Sequence, residues 1–323
     1  MLFLPGNVSM GVMEQTDTRR PSATGDAATT PRGRPPILVI GATGRVGRGV
    51  INLLTDAGVP VSALVRRAES AATLPPDVEI VTGDLTAPES LGTALHAVST
   101  VFLVWTAPPQ TAAAVVDRLA THARRVVYLS APHRTPHPFF QQPNPMARLH
   151  AEIERLIAAT GLDSTIVRPG MFASNALHWW AAAIRGGGVV RWPYGAAETA
   201  PVDDRDVAAV VARTLSENGH AGGDYVLTGP ESLTQAEQVR IIGDSLDRRI
   251  TFEELSPDEF RRETPVASRP AVDMLLAAWN AATGRPAHVT STVSDLLGRP
   301  ARTFRQWATD HTTAFTQDSG PTH

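Results

Sequence analysis

Two residue types are missing from this chain of 323 residues. Every one of its 29 basic residues is Arg, and it has no Cys. Without Lys there is no Gly-Lys-Ser/Thr phosphate loop, no Schiff-base chemistry and no Tyr-x-x-x-Lys catalytic pair. Without Cys there is no disulfide framework, no thiolate nucleophile and no Cys-ligated zinc. That absence fits a reducing compartment, and a cytoplasmic location is the expectation. Tyr is scarce, with three residues. No apolar run reaches the ~20 residues that span a bilayer, so no membrane segment is expected. Charge is nearly balanced, 29 basic against 32 acidic for a net of −3, which leaves no basic field for nucleic acid or anionic lipid. The N-terminal MLFLPGNVSMGVMEQ lacks a basic start and is interrupted by Pro5 and Gly6, unlike a secretory signal. HExxH and GxSxG are absent, so metalloprotease and α/β-hydrolase chemistry lack support. His133 and His137 have zinc-like helical spacing, but Pro132, Pro136 and Pro138 forbid the helix; they read as a loop, and no metal is expected.

What is present is an alternation. Short apolar, β-branched runs at 36–40, 61–65, 78–82, 100–104, 125–130 and 164–168 are separated mostly by helical patterns. Strand, helix, strand repeated in this way predicts a doubly wound α/β fold with a parallel sheet, which a strand at 224–228 extends at its edge. Residues 1–34, rich in Thr, Ala, Pro, Gly and Arg, read as a disordered leader. Residues 35–173 form the expected Rossmann-type core, completed by about 203–229. Residues 174–202 and 230–315 read as a smaller, mostly helical substrate lobe, and 316–323 as a flexible tail.

Between the first strand and first helix lies GATGRVG, residues 41–47. In such a loop one Gly permits the tight turn, one lets backbone approach a pyrophosphate, and one lets helix pack on strand. The helix N-terminus then offers its free N–H groups to the phosphates. Gly41, Thr43, Gly44, Arg45, Val46 and Gly47 are therefore candidate coenzyme ligands. An NAD site usually places a carboxylate about 20 residues further on, at the end of the second strand. Here that place holds Arg66 and Arg67. A guanidinium grips a 2′-phosphate with paired hydrogen bonds, so the expected cofactor is NADP(H), with Arg45 and Arg66 as the clamp. A solvated surface pair is the alternative.

The GxxGxxG spacing resembles the short-chain dehydrogenase/reductase superfamily, and GATGRVG is similar to its atypical, NmrA-like branch. The resemblance spans about residues 36–315. It includes VRR after the second strand, GDL after the third, YLS ending the fifth, GLDSTIVRPGMFASN at 161–175, VDDRDVAAVVARTL at 202–215 and YVLTGPESLT at 225–234. It implies that Asp84 and Leu85 contact the adenine and that Thr106 lies near the nicotinamide-side ribose.

The same resemblance exposes a gap, because the usual catalytic Tyr and Lys are absent. On the expected helix, MARLHAEIERLIAATG at 146–161, His150 and Glu154 stand at i and i+4 and share a face. NmrA-like quinone and azo reductases resemble this arrangement. His150, oriented by Glu154, is the candidate proton donor or, equally, an anchor for a carbonyl or for the nicotinamide amide. Open α/β sheets bind ligands at their strand ends, which makes His133, Met171, Phe172 and Asn175 candidate substrate contacts. A site without Tyr and Lys suits acceptors whose reduced anions are delocalised: quinone-like, azo or aromatic polyketide-like small molecules. The expected function is an NADPH-dependent reductase of such an acceptor. The alternative is a non-catalytic NADP(H) sensor with a regulatory protein partner, and a homodimer is also left open.

Overall fold

A computed structural model describes residues 35–265 and 269–316. The expected leader, and all of the expected tail but Thr316, lie outside the described residues. Seven parallel strands form the central sheet: β1 (Ile37–Ile40), β2 (Val61–Val65), β3 (Glu79–Thr82), β4 (Thr100–Val104), β5 (Arg125–Leu129), β6 (Asp163–Pro169) and, later in the chain, Asp224–Leu227. The last of these is β9, since β7 (Val189–Pro193) and β8 (Glu198–Thr199) precede it. The order across the sheet is β3-β2-β1-β4-β5-β6-β9. The direction of winding reverses between β1 and β4, and such a reversal opens a crevice at the carboxyl ends of the strands.

The strands are apolar on both faces because both faces are covered. β1 sends Ile37 and Val39 into one core and Leu38 and Ile40 into the other; β4 divides Phe102 and Val104 from Val101 and Leu103 in the same way. On the first face lie α1 (Arg45–Asp56) and α5 (Asp204–Ser216), which supply Val50, Ile51, Val207 and Val211. On the second lie α2 (Ala112–His122) and α3 (Pro145–Ala159), which supply Val115, Leu119, Ile153 and Ile157. Asn144 caps α3 by accepting from the Met146 and Ala147 amides, and Pro145 starts the helix where its missing N–H costs nothing.

A third core gathers α4 (Asn175–Arg185), α6 (Gln235–Ser245), α8 (Arg269–Ala282), α10 (Phe304–Asp310) and α11 (Thr312–Thr316) around Trp180, Trp279 and Trp307. Two small sheets support it: β7 with β11 (Thr251–Leu255), parallel, and β8 with β10 (Leu233–Thr234), antiparallel. A short helix α7 (Pro257–Glu263) precedes α8. One stretch that the sequence places in this lobe goes elsewhere: α9 (Thr292–Leu297) packs Val293 into the first core, beside α5 and β9. Among the described residues no helix is long and apolar enough to cross a membrane.

Candidate active site

The glycine loop closes tightly on itself. Gly41 has φ +88°, and a Cβ on it would meet the Val104 side chain at 2.7 Å. A Cβ on Gly47 would lie 2.2 Å from the Gly41 carbonyl oxygen. The loop therefore tolerates no side chain where it turns or where α1 seats on it. Gly44 is the N-cap of α1 and supplies no capping side chain, and the first helical bond runs from the Arg48 amide to the Gly44 carbonyl. The amides of Arg45, Val46 and Gly47 consequently have no acceptor within the helix. Free amides at a positive helix end, with backbone bare enough for close approach, suit a pyrophosphate.

This loop is one wall of a cleft of about 670 Å³, within the usual range for small-molecule sites. All ten sequence-predicted coenzyme contacts line it. Gly41, Thr43, Gly44, Arg45, Val46 and Gly47 come from the loop, Arg66 from the end of β2, Asp84 and Leu85 from the end of β3, and Thr106 from the end of β4. Among the described residues, the guanidinium groups of Arg66 and Arg67 form no hydrogen bond or ion pair. The Asp84 carboxylate accepts from the Thr86 amide at 2.8 Å, which holds it below the usual carboxylate range, and the Arg66 charge adds to this.

The cleft lining also includes Ser174, His178 and Asp204, which sequence reading did not assign to the coenzyme site. Burial raises the Asp204 pKa even though it accepts from Ser174 at 3.0 Å and faces Arg45. Burial, then Arg45, lowers that of His178. In the chain Asp204 looks like part of a capping cluster. The cap is in fact Asp203, which accepts from the Arg205 amide, while Asp206 accepts from Arg299 and from the Arg302 amide. Among the described residues no group of His, Asp or Glu could hold a metal ion.

A second, smaller cavity of about 90 Å³ adjoins the cleft. The four predicted substrate contacts, His133, Met171, Phe172 and Asn175, all line it, together with Phe139, Phe140, Met274 and Leu275, which sequence reading had not singled out. Phe172 and Asn175 line both cavities. Their segment is pinned in place: the Ala173 amide donates to the Val202 carbonyl, and the Val202 amide to that of Met171, at 2.9 Å each.

His150 and Glu154 share the inward face of α3, as their spacing requires, but they do not work as the expected pair. Neither lines either cavity. The His150 Nδ1 lies 2.6 Å from the Tyr128 hydroxyl, and burial drives its pKa down to about 4. The Glu154 carboxylate is instead bound by Arg168, at 2.6 and 2.9 Å, and by the Ser130 hydroxyl. Glu154 therefore does not orient His150. Two strands under the helix, β5 and β6, supply partners that no helical spacing could reveal. The titratable side chain that does reach the small cavity is His133, whose pKa is lowered by burial against the opposing pull of Glu154.

Strand order, glycine loop and cleft together define a dinucleotide-binding protein of the Rossmann class. The profile of the NAD(P)H-binding family matches residues 41–218. Over 286 residues, 86% of this chain and 99% of the relative, the sequence is 40% identical to the (4-alkanoyl-5-oxo-2,5-dihydrofuran-3-yl)methyl phosphate reductase of Streptomyces griseus. It is 32% identical over 289 residues to the NAD(P)H azoreductase of Xenophilus azovorans, covering 86% of this chain and 99% of that one. The crystal structure of an NADPH-dependent quinone oxidoreductase from Escherichia coli, complexed with NADPH, superposes with a TM-score of 0.73 at 25% identity, over 85% of this chain and 99% of the other. The chain belongs to the NAD(P)H-binding family, as an NmrA-like atypical short-chain dehydrogenase/reductase. It is an NAD(P)-dependent oxidoreductase.

Proposed function

We propose that this enzyme uses NADPH to reduce a small conjugated acceptor, whose reacting group sits where the two cavities meet. The observation that carries this reading is the shared lining, Phe172 and Asn175. A molecule in the small cavity and a coenzyme in the cleft would face each other there and nowhere else along the lining.

Bound in the cleft, the reduced nicotinamide supplies the hydride. The chain's own contribution is placement. The α1 amides hold the pyrophosphate. Arg45 and Arg66 grip the 2′-phosphate that distinguishes NADPH, and no carboxylate at the end of β2 opposes it. The small cavity has room for about three water-sized groups, so it takes a substituent or one edge of the acceptor and leaves the electrophilic atom at the junction. Phe139, Phe140, Met171 and Met274 keep water from that substituent. No Tyr or Lys stands at the junction to protonate a basic alkoxide. A conjugated acceptor yields a delocalised anion that accepts its proton from water or from a weak acid. The relatives named above for a dihydrofuranone phosphate, azo compounds and quinones act on substrates of this general character. A cytoplasmic location, where NADPH is supplied, follows from the same reading.

The test follows loss of NADPH absorbance with a quinone, an azo dye and an unsaturated lactone phosphate. The expected result is turnover of at least one, with NADPH favoured over NADH in kcat/KM by roughly 10-fold or more. Arg66→Ala should shrink that preference without changing which acceptor is used. NADPH binding with no turnover of any acceptor would overturn the acceptor assignment. An unchanged coenzyme preference in Arg66→Ala would overturn the clamp.

A further inference from the structure

Arg168 is among the most deeply buried large side chains of the molecule, 1% exposed at the end of β6. Each of its five N–H donors has an acceptor. Nη1 donates to Glu154 Oε1 at 2.6 Å and to the Ala131 carbonyl at 3.0 Å; Nη2 donates to Glu154 Oε2 at 2.9 Å and to Asp224 Oδ2 at 3.1 Å; and Nε donates to Asp224 Oδ1. One guanidinium thus ties α3, the edge strand β9 and the chain leaving β5 to a single point.

Glu154 carries the tie further. Its carboxylate also accepts from the Ser130 hydroxyl, and it lies 3.7 Å from His133 Nε2 and 3.6 Å from Arg134 Nη2. Ser130, Ala131, His133 and Arg134 therefore all attach to the Arg168–Glu154 pair. Ala131 and His133 line the small cavity, and Leu129, just before them, lines the coenzyme cleft. The pair itself lines neither. A buried ion pair is a poor device for stability alone, since apolar residues of similar volume do as well or better. It is a good device for fixing several groups in set directions.

We propose that Arg168, acting with Glu154, is the positioning residue of the acceptor site: it locks the segment from Ser130 to Arg134, whose Ala131, Pro132 and His133 line the small cavity together with Phe172 and Asn175. The acceptor part of this inference rests on the function proposed above; the locking of the segment does not.

The experiment compares Arg168→Met, Glu154→Leu and the double variant. Four quantities are measured: stability to urea, NADPH affinity, acceptor kinetics, and hydrogen exchange at the Ser130 and Thr135 amides, which donate to the Val167 and Pro132 carbonyls at either end of the segment. Arg168→Met strands the buried Glu154 carboxylate and should be strongly destabilised; Glu154→Leu leaves Arg168 paired with Asp224 and should cost less. The double variant should regain most of the stability and keep NADPH affinity within about twofold. It should still lose about 10- to 100-fold in acceptor kcat/KM, the order expected from misplacing a reacting group by an ångström, with the loss carried by kcat. These two amides should exchange about 10-fold faster than in the wild type. Recovery of acceptor kcat/KM together with stability would reduce the pair to a structural role and overturn the proposal. So would unchanged exchange in a stable double variant. Should the double variant fail to fold, Ser130→Ala, which removes one arm of the tie, should accelerate the same amides, and unchanged exchange there would also overturn it. The exchange measurement needs no acceptor, so failure of the acceptor assignment is told apart from failure of the lock.

Discussion

Acid should weaken this fold through His150, by an amount the structure sets. The imidazole is buried on α3 against Tyr128, and burial takes its pKa from the ordinary 6.5 down to about 4. Between those values the unfolded chain binds a proton that the native protein refuses. The sign follows: stability is untouched above about pH 7 and falls as pH drops through the window. The full effect of this one group is about 3 kcal/mol, of which about 2 kcal/mol is already lost near pH 5. Urea unfolding of the wild type and of His150→Phe, at a series of pH values from neutral to about 4.5, isolates it. Removing His150 also leaves the Tyr128 hydroxyl without its partner, a cost of about 1–3 kcal/mol that does not vary over this range. His133, His178 and His220 also have lowered pKa values, but they titrate in both proteins and cancel in the difference. The stability curves of the two proteins should therefore converge by about 2 kcal/mol between neutral pH and about pH 5. Curves that stay parallel would refute the reasoning and show that His150 is charged or solvated in the native protein.

Two further outcomes follow from packing. Gly47→Ala places a methyl 2.2 Å from the Gly41 oxygen; the loop must open, and calorimetry should show NADPH affinity weakened by roughly 10-fold or more, while unchanged affinity would mean that the loop does not hold the coenzyme. Trp279 is fully buried, with ring centroids 5.5 Å from both Trp179 and Trp192 and an indole N–H that has no partner among the described residues. Its removal is thus a pure packing loss, and Trp279→Ala should cost about 3–5 kcal/mol in urea unfolding; a loss below about 1 kcal/mol would mean that the aromatic cluster is not a core.

The cleft proposed for the coenzyme was legible from the chain because its parts are local. Strand, GATGRVG turn and helix are contiguous, and Arg66, Asp84, Leu85 and Thr106 each follow directly on a strand that the apolar pattern reveals. Parallel strands put all such ends on one edge of the sheet. The small cavity was legible only in part. His133, Met171, Phe172 and Asn175 also follow strands, but Met274 and Leu275 arrive from α8 in the other lobe, and nothing in their neighbourhood of the sequence marks them.

His150 and Glu154 show where sequence stops. Helical period dictates that they share a face, and the structure has them on one; what that face meets depends on which strands lie beneath it. The sheet order puts Tyr128 of β5 and Arg168 of β6 there, so each side chain finds a partner across the sheet and the two do not pair with each other. The same holds for Arg168 with Asp224, which meet because β9 adds to the edge beside β6, and for Asp204, which α5 carries into the cleft. Period and turn chemistry act over a few residues and are written in the sequence. Pairings between distant segments come from the packing of whole elements, and that was decided only in three dimensions.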